Sequence, residues 1–235
     1  MQVTCLPAGD KAILVQFDQE ISVRVNNQVS ALAKTLVQLG LSGVEELVPA
    51  YASLLIYYNP LRISYARLVH TVQTLCTQET TVEQTEPRTV VIPACYGGEC
   101  GPDLADVADY HGITQEEVVR IHSSAVYRVY MLGFSPGFPY LGGLSTQIAT
   151  PRLSSPRLKV SSGSIGIAGA QTGIYPLSSP GGWRLIARTP LRLFDLSNSH
   201  KPFLLQAGDQ LQFVPVSLEK FKELEAAYHS CNGTA

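Results

Sequence analysis

An α+β protein of two successive parts is what this sequence predicts, and three observations predict it. Strand and helix periods alternate over the first 85 residues. A polar, proline-containing stretch at 77–89 then interrupts the pattern, and beyond residue 133 helical periodicity vanishes until the C-terminus. In its place, residues 133–182 hold ten of the 19 glycines and six of the 15 prolines. That density breaks helices and supplies the tight turns of a barrel or sandwich. The expected domains are a small α/β domain over 1–85 and a β-rich domain with a C-terminal helix over 86–235.

The elements of the first part follow in order. Lys11–Phe17 (KAILVQF) reads as a strand. Val25, Val29, Leu32, Ala33, Leu36 and Val37 fall at helical spacing, and Gly40 supplies the stop. Val44–Val48 and Leu54–Tyr58 form two short strands joined through Pro49-Ala50-Tyr51. Ser64 is an N-cap for a helix through Leu68, Val69, Val72 and Leu75. The order β-α-β-β-α is most of a ferredoxin-like split β-α-β unit. Thr77–Thr89, with Pro87, reads as a linker.

The second part opens with a strand at Val90–Pro93 and a loop, CYGGECGPD. Two short helices follow, Leu104–Tyr110 closed by Gly112, and Gln115–Ser123 opened by a capping box of Thr114 and Glu117. Val126–Leu132 (VYRVYML) is a buried strand. Ser164–Ala168, Arg184–Ile186 and Gln210–Val214 are short strand-like runs among turns, and Ser217 starts a peripheral helix, LEKFKELEAAYH.

Composition narrows the function. With 45% hydrophobic and 15% charged residues and a net charge of −2, the chain has no electrostatic pull toward nucleic acid or anionic membranes. No apolar run approaches the ~20 residues of a membrane span, and the N-terminus lacks a signal-peptide pattern, so the expected location is the cytoplasm. Five scattered cysteines fit a reducing compartment. Cys95-x4-Cys100 has no second Cys/His pair at ligand spacing, so no metal site is expected.

GFSPGFPYLGG, residues 133–143, matches the G-x-S-x-G pattern of a serine nucleophile elbow. An elbow needs an oxyanion donor from the residue after the serine, and Pro136 has no N–H. Two prolines and three glycines by Gly143 leave no helix to follow. Ser135 is therefore not read as a nucleophile. The loop is stiff and displays Phe134, Phe138 and Tyr140, which either plug the core or wall a pocket.

At this motif the sequence resembles a known family. IHSSAVYRVYMLGFSPGFPYLGGL, CYGGECGPDL, GAQTGIYP and PGGW, all within residues ~90–215, are similar to the B component of 5-oxoprolinase. That family includes the Kip-type inhibitor of a sporulation histidine kinase and is also labelled allophanate hydrolase subunit 1. The resemblance implies a small ferredoxin-like α/β domain followed by a cyclophilin-like β-barrel. It implies ATP-dependent hydrolysis of 5-oxo-L-proline to L-glutamate with partner subunits A and C, the chain being inactive alone. Cys100 and Arg184 depart from the family pattern, as does VSSGSIG where IPAGSVG is typical.

Several residues are candidates for the chemistry. His122, near the end of a helix and matching a family position, either acts as general acid or base or satisfies the last helix carbonyls. Arg152 and Arg157 in PRLSSPR either grip a carboxylate or phosphate or stand solvated. Gln171, Thr172 and Tyr175 bring amide and hydroxyl groups together, to orient a carbonyl or to brace a turn. With Phe138 and Tyr140 they form the expected ligand-binding set. Gly163–Gly169 is glycine-rich but does not open a helix, so ATP with Mg is expected at the complex, on a site shared with or held by a partner. The alternative function is a regulatory module inhibiting a sensor histidine kinase. A urea carboxylase or allophanate-hydrolysing component ranks last, since no biotinyl-lysine or Ser-Lys signature is present.

Overall fold

The computed structural model of the protein describes residues 3–18, 22–77, 87–198 and 200–231, so most of the expected linker lies outside the described residues. The chain divides into two compact units, Met1–Glu86 and Pro87–Ala235, each with its own apolar core.

The first unit runs β1 (Thr4–Pro7), β2 (Ala12–Gln16), α1 (Val23–Leu39), β3 (Val44–Pro49), β4 (Ser53–Tyr58) and α2 (Tyr65–Thr77). Ser22 opens α1 by accepting from the Val25 N–H, and Gly40 closes it in the left-handed conformation. The sheet order is β1-β2-β4-β3, antiparallel throughout. Ile13, Val15, Leu54 and Ile56 on one face pack against Val29, Leu36, Leu68 and Val72 of the helices. The segment β2-α1-β3-β4-α2 is the expected split unit, with β4 inserted between β2 and β3. Its fourth strand position is filled by β1, which comes before the unit. Nothing in the sequence predicts β1, because its four residues are largely exposed and carry no alternation.

The second unit contains β5 (Thr89–Tyr96), α3 (Leu104–His111), α4 (Gln115–Ser124), β6 (Val126–Leu132) and β7 (Pro139–Gly142). There follow β8 (Arg157–Val160), β9 (Ser164–Ala168), β10 (Gln171–Ile174), β11 (Ser179–Gly181), β12 (Arg184–Arg188), β13 (Gln210–Pro215) and α5 (Leu218–Cys231). Seven strands close a barrel in the order β10-β7-β6-β13-β5-β12-β9, and β8 and β11 form a separate two-stranded sheet. The β5–β13 pair is parallel, and the other barrel pairs are antiparallel.

Alternation along the strands makes two apolar layers. Ile165, Ile167, Ile174, Ile186 and Leu141 fill the barrel with Leu104, Val107, Val118 and Ile121 of α3 and α4. The four fully buried isoleucines contribute about 1.5–3 kcal/mol each. The opposite face of the same strands carries a second cluster, Phe138, Val160, Ala168, Tyr175, Trp183 and Leu185. Thr114 caps α4 as predicted, accepting from the Glu117 N–H at 3.2 Å. The reciprocal half of the capping box is not made, because the Glu117 carboxylate pairs with Arg120. No helix among the described residues is long and apolar enough to cross a membrane.

Candidate functional site

The 133–138 loop is a tight turn with no helix after it. The Gly133 N–H donates to the Phe138 carbonyl and the Phe138 N–H to the Ser135 carbonyl. Phe134 is the only non-glycine described residue at positive φ, 65°, and its ring is 69% exposed. Strain of this kind persists only where surrounding contacts over-determine it. Beside the loop lies a cavity of about 390 Å³, lined by Leu132, Phe134, Ser135, Pro136 and the backbone of Gly133 and Gly137, with Phe203 from the distant 189–209 loop. A smaller one of about 280 Å³ shares Leu132 and Phe203 and adds His200 and Lys201. The corner is therefore cleft and not solidly filled.

Ser135 has no nucleophile's surroundings. Its Oγ is buried with no hydrogen-bond partner, and the nearest histidine in sequence, His122, is bonded elsewhere. An unpartnered buried hydroxyl is a desolvation cost. Ser135→Ala is expected to leave thermal stability unchanged or raise it by up to about 1 kcal/mol, which melting curves of the two proteins would check. A loss of more than that would show a bond the hydroxyl makes.

His122 requires a correction. Its side chain has no exposed surface, and burial pushes the imidazole down to about 3. The Thr172 hydroxyl spends its only hydrogen on the Gly166 carbonyl at 3.0 Å. His122 Nε2 must then donate to Thr172 Oγ1 at 3.0 Å, leaving Nδ1 to accept from the Tyr96 hydroxyl at 2.7 Å. Phe213 stacks on the ring at 4.6 Å. The imidazole is a neutral, fully satisfied core group and not an acid–base group working near pH 7. Nor does it serve the last helix carbonyls. Tyr127 and Ser124 do, bonding the carbonyls of His122 and Ile121. Helical spacing carried the signal, since His122 follows Val118 by four and Ile121 by one, on the buried face of α4.

The remaining candidates separate into two places. Thr172 lies inside the barrel wall with His122, and Phe138 is 2% exposed in the outer cluster. Gln171 starts β10, half-buried. Phe138, Tyr140, Tyr175 and Trp183 meet edge to face on the outer wall of the barrel, with ring centroids 5.1–5.6 Å from Phe138. Gly166 and Gly173 form the shelf beneath them. A Cβ on Gly173 would stand 3.0 Å from both Phe138 and Trp183. Arg152 lies over the Trp183 ring at 5.9 Å. Arg157 pairs with buried Asp103 at 2.6 Å, and the other Asp103 oxygen accepts from the Leu185 N–H at 2.7 Å.

Gly163–Gly169 is no phosphate cradle. Gly163 and Gly169 make turns at positive φ, and Gly166 sits mid-strand in β9 against Trp183. Among the described residues no three His, Cys, Asp or Glu side chains gather as a metal would need. What the site offers is recognition: exposed and half-buried rings, and guanidinium groups.

Comparison with known proteins fits this geometry to a family. The chain is 44% identical over 219 residues to the B component of 5-oxoprolinase from Bacillus subtilis, covering 89% of this chain and 91% of the relative. It is 41% identical to that of Haemophilus influenzae, covering 91% and 98%. The chain belongs to the family of 5-oxoprolinase B components. Residues 3–205 match the carboxyltransferase domain, subdomains C and D. The solved structure of TTHA0988 is 35% identical with a TM-score of 0.77, covering 88% of this chain, which spans only 40% of that longer one. Urea amidolyase of Lachancea kluyveri is more distant, 28% identical, and the chain spans 14% of it.

In this member of the 5-oxoprolinase B-component family, two contributors escape sequence reasoning. Phe203 reaches the loop from some 70 residues away, so no local pattern announces it. Asp103, just before α3, makes no cap bond and serves Arg157 and Leu185 instead.

Proposed function

We propose that the chain is the B component of an ATP-dependent 5-oxoprolinase, which opens 5-oxo-L-proline to L-glutamate with partner subunits A and C and has no turnover alone. What carries the reading is the near full-length match to relatives named as the B component of 5-oxoprolinase, at 44% and 41% identity across both units. The site is consistent with a binding role. It holds rings, guanidiniums and a cleft, without the nucleophile and base that hydrolysis by this chain alone would require. Opening a lactam needs an activated carbonyl, which ATP supplies through phosphorylation of the amide oxygen. With the glycine-rich run spent on a barrel strand, ATP and Mg belong on a partner or at the assembled complex.

The test mixes the purified chain with candidate A and C subunits and follows glutamate and ADP from 5-oxo-L-proline. Turnover only in the complete mixture is the expected result. Full activity of A plus C without this chain would reject the reading.

A further inference from the structure

We propose that Arg152, Arg157 and the Tyr175 hydroxyl form a carboxylate-binding site on the outer wall of the barrel. The inference rests on the enzyme-component reading for its ligand and deepens it by naming the group that is held.

Five observations place the site. Gly181 pairs with Arg157 across the two-stranded β8–β11 sheet, and the Tyr175 Oη packs so closely on Gly181 that a Cβ there would overlap it. Burial pushes the Tyr175 phenol up, and the Trp183 N–H and the charges of Arg152 and Arg157 act against that, so both guanidiniums lie within electrostatic reach of the same oxygen. Arg152 is exposed over Trp183 and has no carboxylate within 4.0 Å among the described residues. Arg157 Nη1 is buried with no acceptor. One Asp103 oxygen accepts from Arg157 Nη2 and the other from the Leu185 N–H. The Ser179 Oγ, in the same two-stranded β8–β11 sheet, is also buried without a partner.

A charged donor left without an acceptor is the kind of group that a ligand oxygen satisfies. Turning the Arg157 fork toward Arg152 sacrifices no bond at Nη1. Charge favours a carboxylate. Arg157 and Arg184 each pair with one, Asp103 and Asp106, and Arg152, which pairs with none among the described residues, leaves one positive charge for a ligand. A carboxylate balances that charge, whereas a phosphate dianion exceeds it.

Trp183 is the chain's single tryptophan and lies in the site, so its fluorescence reports occupancy. The full chain is titrated with 5-oxo-L-proline, with the neutral carboxamide of the same ring, and with inorganic phosphate. A saturable change with the acid and none with the carboxamide is expected. Arg152→Gln, which breaks no ion pair, should weaken binding by about tenfold or more, the loss of one charged contact. Tyr175→Phe, which keeps the ring, should weaken it less. No saturable change, equal response to the carboxamide, tighter binding of phosphate, or unaltered affinity in Arg152→Gln each overturns the site.

The two readings fail separately. Turnover that needs this chain but keeps the same KM for 5-oxo-L-proline in Arg152→Gln removes the site and leaves the enzyme-component reading. Saturable carboxylate binding by a chain that adds nothing to turnover does the reverse.

Discussion

Acidification from pH 6.5 to 4.5 is expected to cost the second unit about 2 kcal/mol through His122 alone, the slope approaching about 1.4 kcal/mol per pH unit once the unfolded side chain is fully protonated. Burial holds the folded imidazole down to about 3, while the unfolded side chain titrates near its ordinary value of about 6.5. Between those values the unfolded chain carries a proton that the native chain refuses. Unfolding therefore takes up a proton, and stability begins to fall as pH approaches about 6.5 and declines on toward 3. The groups facing the ring cannot relieve this. They are the Tyr96 and Tyr127 phenols, both pushed up by burial, and the Phe213 ring, with no carboxylate among them. Urea unfolding at pH 7.5 and 4.5 measures the slope, and His122→Gln isolates this group from other acids. The variant should be less stable at pH 7.5 and show a shallower fall. Equal slopes in the two proteins would mean that the imidazole is protonated in the fold. The same burial means that His122→Ala is expected to loosen the barrel, through a cavity and a Tyr96 hydroxyl left without its acceptor.

Local chemistry was legible wherever the signal lay within a few residues. Thr114, Gly112 and Gly40 mark helix ends that the structure places within a residue or two, and Ser164–Ala168 is a strand with the bounds read from its alternation. The strands that escaped, β1, β7, β8, β10 and β11, are three or four residues long, and all but β8 contain glycine or proline. What makes them strands is pairing with partners up to some 30 residues away. The candidate site divides the same way. Pro136 alone was enough to dismiss Ser135. In contrast, the choice between core and cleft for Phe134 and Phe138, four residues apart in one motif, depends on a positive φ and on Phe203. Residue type grouped the rings and arginines as an expected ligand-binding set. It could not say that Thr172 and Tyr175, three apart, face opposite sides of the barrel wall.

Gly101→Ala should destabilise the second unit by at least about 3 kcal/mol, the upper range for overpacking a site that cannot yield. A Cβ at Gly101 would overlap the Ile186 carbonyl, which is backbone and already accepts from the Gly97 N–H at 3.1 Å. A flexible side chain could move aside, but a strand carbonyl in the barrel wall cannot do so without breaking the neighbouring bonds. The Asp103 N–H donates to the Leu185 carbonyl two residues further on, so the strain falls on the segment that presents the Asp103 carboxylate to Arg157. The outer wall then loses its anchor along with its stability. Gly169→Ala is the control. That glycine has φ of 58° and nothing within 4 Å of the added carbon, so only backbone strain of about 1–2 kcal/mol is expected. Chemical denaturation of both variants separates steric overlap from lost conformational freedom. A Gly101→Ala protein as stable as the Gly169→Ala one would show that the 97–103 turn can shift as a body, and would leave Asp103 free to move with it.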